Sequence, residues 1–95
     1  MEYRLTVRAR SDIADIYFYG RQHWNERLAD DYYLGLLEAF EAIQEFPKSS
    51  PLRPDTDVSV RIRVFRSHLI VYELQQEAVV ILRIVHGRYD WQNDL

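Results

Sequence analysis

The sequence predicts an α+β domain of order β-α-α-β-β-β, a helical hairpin packed on one face of a small, mainly antiparallel sheet. Three observations carry that reading. Apolar residues recur at helical spacing from Ala9 to Ile43. After residue 57 the period changes to two. Between the two regimes, Pro47, Pro51 and Pro54 with Ser49 and Ser50 mark an extended loop, 47–57. At 95 residues, 47% of them hydrophobic, the chain is expected to be one domain, 1–95, with one core.

The elements follow in order. Tyr3-Arg4-Leu5-Thr6-Val7 alternates apolar and polar, the mark of a short strand. Thr6 or Ser11 can cap a first helix, and Asp12 and Asp15 suit its early turns as a solvated face. Ala9, Ile13, Ile16, Tyr17, Gly20 and Trp24 make its apolar face. Asn25 interrupts and caps a second helix, which stops at Phe46-Pro47. Its apolar set (Leu28, Ala29, Tyr32, Tyr33, Leu36, Leu37, Phe40 and Ile43) spans about half the wheel, so it must face both a helix and a sheet. Two helices joined at one Asn form a tight antiparallel hairpin. Val58, Val60, Ile62 and Val64 then alternate with Ser59, Arg61, Arg63 and Phe65. Arg66-Ser67 fits a turn, His68 to Leu74 a strand, Gln75-Gln76-Glu77 a turn, and Ala78 to Val85 a last strand.

Composition excludes several chemistries. Cysteine is absent, so there is no disulfide scaffold, thiolate zinc site or cysteine nucleophile. His23, His68 and His86 lack metal-ligand spacing, and three glycines form no phosphate-cradling loop. No metal and no cofactor is expected. No apolar run approaches the ~20 residues of a membrane span, and Met1-Glu2-Tyr3-Arg4 lacks a signal-peptide head, so a cytoplasmic protein without membrane contact is expected. The net charge of −3 argues against a dedicated nucleic-acid binder. Its distribution is uneven: residues 58–89 hold five arginines against Glu73 and Glu77. Arginine, eleven of the twelve basic residues, makes planar bidentate contacts that lysine does not.

Strand parity raises the question of what covers the sheet face away from the helices. With Val60, Ile62 and Val64 inward, Arg61, Arg63 and Phe65 point out. With Glu73 out, Leu69 and Val71 follow; with Arg83 out, so do Val79, Ile81 and Val85. The expected outer face is an apolar band edged by arginine, which marks a partner surface unless loop 47–57 or the C-terminal tail folds over it. Arg61, Arg63, Arg83, His86, Arg88 and Tyr89 also gather near strand ends. They could serve metal-free RNA cleavage or grip an acidic protein, and the pattern alone does not separate these.

The closing run Val79-Val80-Ile81-Leu82-Arg83-Ile84-Val85-His86-Gly87-Arg88-Tyr89-Asp90 resembles the C-terminal signature of ParE-type toxins of bacterial toxin–antitoxin modules. The start Arg8-Ala9-Arg10-Ser11-Asp12-Ile13-Ala14-Asp15-Ile16, Tyr17 and Tyr19 before Trp24, the stop at Phe46-Pro47 and the hairpin Val64-Phe65-Arg66-Ser67-His68-Leu69-Ile70-Val71-Tyr72 agree with that resemblance. It covers essentially the whole chain and implies the RelE/ParE-like fold. It further implies a type II toxin that inhibits DNA gyrase by binding rather than catalysis. A ParD-like antitoxin would neutralise it through an acidic C-terminal segment and reach operator DNA on the toxin's behalf. For antitoxin contact the expected residues are Arg61, Arg63, Phe65, Leu69, Val71, Ile81 and Arg83. For target inhibition they are His86, Arg88, Tyr89 and Trp91. The alternative is a RelE-like ribosome-dependent mRNA endonuclease, but the only lysine is Lys48 and no tyrosine follows Tyr89, a departure from the RelE pattern.

Overall fold

The computed structural model describes residues 2–53 and 59–91. Strand β1 (Glu2–Leu5) leads through Thr6 into helix α1 (Val7–His23), followed by α2 (Glu26–Glu45), β2 (Arg61–Phe65), β3 (His68–Gln75) and β4 (Ala78–His86). The strands form one sheet of order β1-β4-β3-β2, with β1 parallel to β4 and the other pairs antiparallel. Element order and the helical hairpin on one sheet face agree with the periodicity reading. The strand expected from Val58 starts at Arg61; Val58 itself lies outside the described residues.

Local chemistry sets the joints. Thr6, not Ser11, caps α1: its Oγ1 accepts from Ala9 N at 3.0 Å. The same hydroxyl donates to the Leu82 carbonyl at 2.8 Å, and the Thr6 N–H donates to Ile81 O at 3.1 Å. One residue thus starts the helix and ties it to β4. Asn25 Oδ1 accepts from Leu28 N at 2.8 Å and caps α2 in the same way. Pro47 follows the end of α2, and its carbonyl accepts from the fully buried Tyr72 hydroxyl at 2.9 Å. Both β-hairpin turns have two central residues, and the first of each has a left-handed φ, 52° at Arg66 and 55° at Gln76.

Each sheet face carries a core. On the helix side Leu36, Phe40 and Ile43 of α2 and Ala9 of α1 meet Ile70, Tyr72, Val79, Ile81 and Ile84. On the far side Val60, Val71, Val85 and Trp91 bury one another, with Ile62, Leu69 and Leu82 alongside. The far face is therefore covered in part by the chain itself. Leu52 bridges to Arg61, Arg53 N donates to Val60 O at 2.9 Å, and the Arg53 guanidinium lies 5.8 Å from the Trp91 ring centroid.

This placement corrects the expected faces. Phe65 lies on the helix side, against Gly35, where an added Cβ would come within 2.8 Å of its ring. Val60 and Ile62 take the far side instead. In β4 a bulge is responsible. Val71 pairs with Arg83 but Tyr72 pairs with Ile81, which leaves Leu82 as the extra residue. Val79 and Ile81 before the bulge pack toward the helices; Val85 after it packs away. Strict alternation put all three together, and one inserted residue separates them.

Candidate functional site

Beyond Ile81, β4 outruns its partner β1, and α1 takes the vacant edge. Asp12, on the first turns of α1, reaches that edge. Its Oδ2 accepts from Ile84 N at 2.9 Å, and its carboxylate accepts from Arg83 Nε at 2.8 Å and Nη2 at 3.1 Å. Both side chains are largely buried, 12% and 14% exposed. Asp12 is thus a structural clamp rather than the solvated carboxylate expected from helix spacing, and Arg83 is turned inward by it.

The bulge also sets His68 opposite His86, with ring centroids 5.7 Å apart and T-shaped. Tyr32 of α2 completes the group, its hydroxyl 2.6 Å from His68 Nδ1. Burial holds the His68 imidazole below its ordinary pKa, and the neighbouring His86 adds to this while Asp12 opposes it. Burial raises the Tyr32 phenol above its ordinary value, against a backbone hydrogen bond from Ser67 and the charge of Arg66. At neutral pH a neutral phenol therefore meets a neutral imidazole across this hydrogen bond. The Arg66 guanidinium lies 5.2 Å from the centroids of both Tyr32 and Phe65. His86 Nδ1 accepts from Arg88 N at 3.2 Å, and Gly87 N donates to Ser67 O at 2.9 Å, so the turn after β4 is held to the β2–β3 turn. Among the described residues no three histidines or carboxylates gather as metal ligands.

The expected antitoxin-contact residues do not form one surface. Val71 and Ile81 are fully buried, on opposite faces of the sheet, Phe65 sits under α2, and Arg83 is clamped. Arg61 donates to Ser50 O at 2.6 Å beside the half-buried Arg63, and Leu69 is half-buried beside Val64, which is 68% exposed. Among the four target-inhibition residues, His86, Arg88 and Tyr89 are exposed around one turn, but Trp91 is 3% exposed and serves as a core residue. The sequence does not single out Tyr32 and His68 as site residues, because Tyr32 falls on the apolar face of α2 and His68 opens a strand without metal-ligand spacing. The signal that could have found them is the register of the β3–β4 hairpin.

A family profile described as "ParE toxin of type II toxin-antitoxin system, parDE" matches residues 3–91. The chain is 34% identical over 86 residues to Toxin ParE1 of Caulobacter vibrioides, a match that covers 88% of this chain and 86% of that protein. The fold is that of a solved chain titled "Chromosomal ParDE TA system from P. aeruginosa", with a TM-score of 0.80 and 19% identity over 90% of this chain and 95% of that one. Among the described residues no helix is long and apolar enough to cross a membrane.

Proposed function

The chain belongs to the ParE toxin family of type II toxin–antitoxin systems, and from that premise we propose that it inhibits DNA gyrase by direct binding and is held inactive by a ParD-like antitoxin. The observation that carries the reading is the family match over residues 3–91, which spans the helical hairpin and every strand. The toxin acts in the cytoplasm, without a cofactor, and reaches operator DNA only through its antitoxin. The exposed turn His86-Gly87-Arg88-Tyr89 supplies the target contact: it presents an imidazole, a guanidinium and a phenol on a backbone fixed by the Gly87–Ser67 hydrogen bond.

The antitoxin's acidic segment lies along β2, at the edge of the sheet. Arg61 and Arg63 meet its carboxylates, and Val64 with Leu69 takes an apolar side chain. The ParDE title of the structural neighbour supports such a partner. The deciding experiment is a supercoiling assay with purified gyrase. Inhibition that the antitoxin reverses is the expected result. A folded toxin that leaves supercoiling intact yet cleaves mRNA in a translating extract would replace this reading with a RelE-like nuclease.

A further inference from the structure

A cleft between the helical hairpin and the β2–β3 turn shares only His86 with the proposed target contact. Its volume is about 510 Å³, within the range of small-molecule sites. Tyr19, Trp24 and Tyr32 make one wall, with successive ring centroids 6.2 Å and 5.7 Å apart. His68 and His86 make the other, joined to the first by the Tyr32–His68 hydrogen bond. Asp15, Ile16 and Ser67 complete the lining, and Arg66 lies against the Tyr32 ring.

Two features make this more than packing. Tyr19 and Trp24 keep 54% and 47% of their surface exposed, although both are held in place. Trp24 rests on Gly20, where an added Cβ would lie 3.1 Å from the indole. Tyr19 is stacked on His23, with centroids 3.9 Å apart and 14° between the planes. Fixed, water-accessible ring surfaces stack planar ligands at little entropic cost. Beside the apolar Ile16, the remaining lining carries the imidazoles of His68 and His86, the Ser67 and Tyr32 hydroxyls and the Asp15 carboxylate, which a purely aliphatic ligand would desolvate without replacing their hydrogen bonds. A planar heteroaromatic ring with hydrogen-bonding edges satisfies both demands.

We propose that this cleft binds a nucleotide, its base stacked on Trp24 with Tyr19, whose ring stands at 87° to the indole, against its edge, its amine donating to Asp15, and its phosphate drawn by Arg66. The inference rests on the cleft alone, so it stands or falls independently of gyrase inhibition. Free nucleotides and bases of a single strand offer the same chemistry, and the test separates them.

The native protein is titrated with AMP, CMP, GMP and UMP, and with single-stranded DNA and RNA octamers, while tryptophan emission is followed with excitation at the red edge. Trp24 lines the cleft and Trp91 is buried on the far sheet face, so Trp24→Phe should abolish the response. Saturable quenching is expected, weakened about five- to tenfold by Tyr19→Ala, a surface change that leaves the circular dichroism intact. An octamer that binds tenfold or more tightly than its mononucleotide assigns the site to a strand; equal affinity assigns it to the free nucleotide. Movement of the His68 and His86 imidazole resonances on titration is the second readout. The absence of any saturable change with all six ligands, in a protein shown to be folded, overturns the proposal. CMP binding no tighter than UMP, which lacks the amine, overturns the Asp15 contact.

Discussion

Asp12 joins two demands that no other described residue meets together. It caps the Ile84 N–H on a strand edge that has lost its neighbour, and it neutralises the largely buried Arg83. Its removal strands both, so Asp12→Ala should cost about 3 kcal/mol, read as a lower urea midpoint at unchanged m-value. Nothing in helix spacing distinguishes Asp12 from a solvated carboxylate, because the demand is created by where β1 ends. His68 makes the second residue-level prediction. Its folded pKa lies below the ordinary imidazole value, so the unfolded chain binds the extra proton. The stability tied to its neutral form is full above about pH 6.5 and is lost as pH falls toward the folded pKa. Stability measured at pH 7, 6 and 5 should fall through that window, and His68→Gln should flatten the fall. In NMR titration the folded His68 should protonate at a lower pH than a free imidazole.

At the scale of elements, capping and breaking residues were legible and faces were not. Asn25 and Pro47 bound α2 within a residue of where the sequence puts them, and α1 starts at Thr6, one of the two caps the sequence offers with Ser11, because each acts on its own backbone. The faces of β4 failed at the bulge, since one unpaired residue reverses every side chain beyond it and leaves no mark in the apolar run before Arg83. The same inserted residue explains why the imidazole pair was hidden. From the Gln75–Ala78 turn pair, regular counting sets His68 against Val85, and the bulge moves it to His86. The β3–β4 turn carries its own prediction. Gln76 holds a φ of 55°, which costs a side-chain-bearing residue about 1 kcal/mol. Gln76→Gly should stabilise the fold by up to that amount, net of the entropy glycine adds to the unfolded chain, read as a higher denaturation midpoint at unchanged m-value.

For the whole molecule, the sheet is covered by the helices on one side and in part by Trp91 and its neighbours on the other, and this decides which variants report on function. The sequence foresaw a second apolar face and the tail that could cover it, but assigned the face to a partner. The choice turned on Trp91, whose long-range contacts no local period encodes. Trp91→Ala should cost about 3 kcal/mol in thermal or chemical unfolding, and Ile81→Ala a similar amount, so a loss of toxicity in either is a folding effect. Arg63→Glu on the edge strand is the informative contrast. It should weaken antitoxin binding at least tenfold by calorimetry while the melting temperature of the free toxin stays put. The parallel pairing of β1 with β4 has a consequence in time. Thr6 closes on Leu82 across 76 residues of chain. At about 5–20 residues per second, the first strand made waits roughly 4–15 s for the partner that holds it. The nascent chain therefore lacks its parallel strand pair for most of its synthesis, and the sheet closes only once β4 has been made.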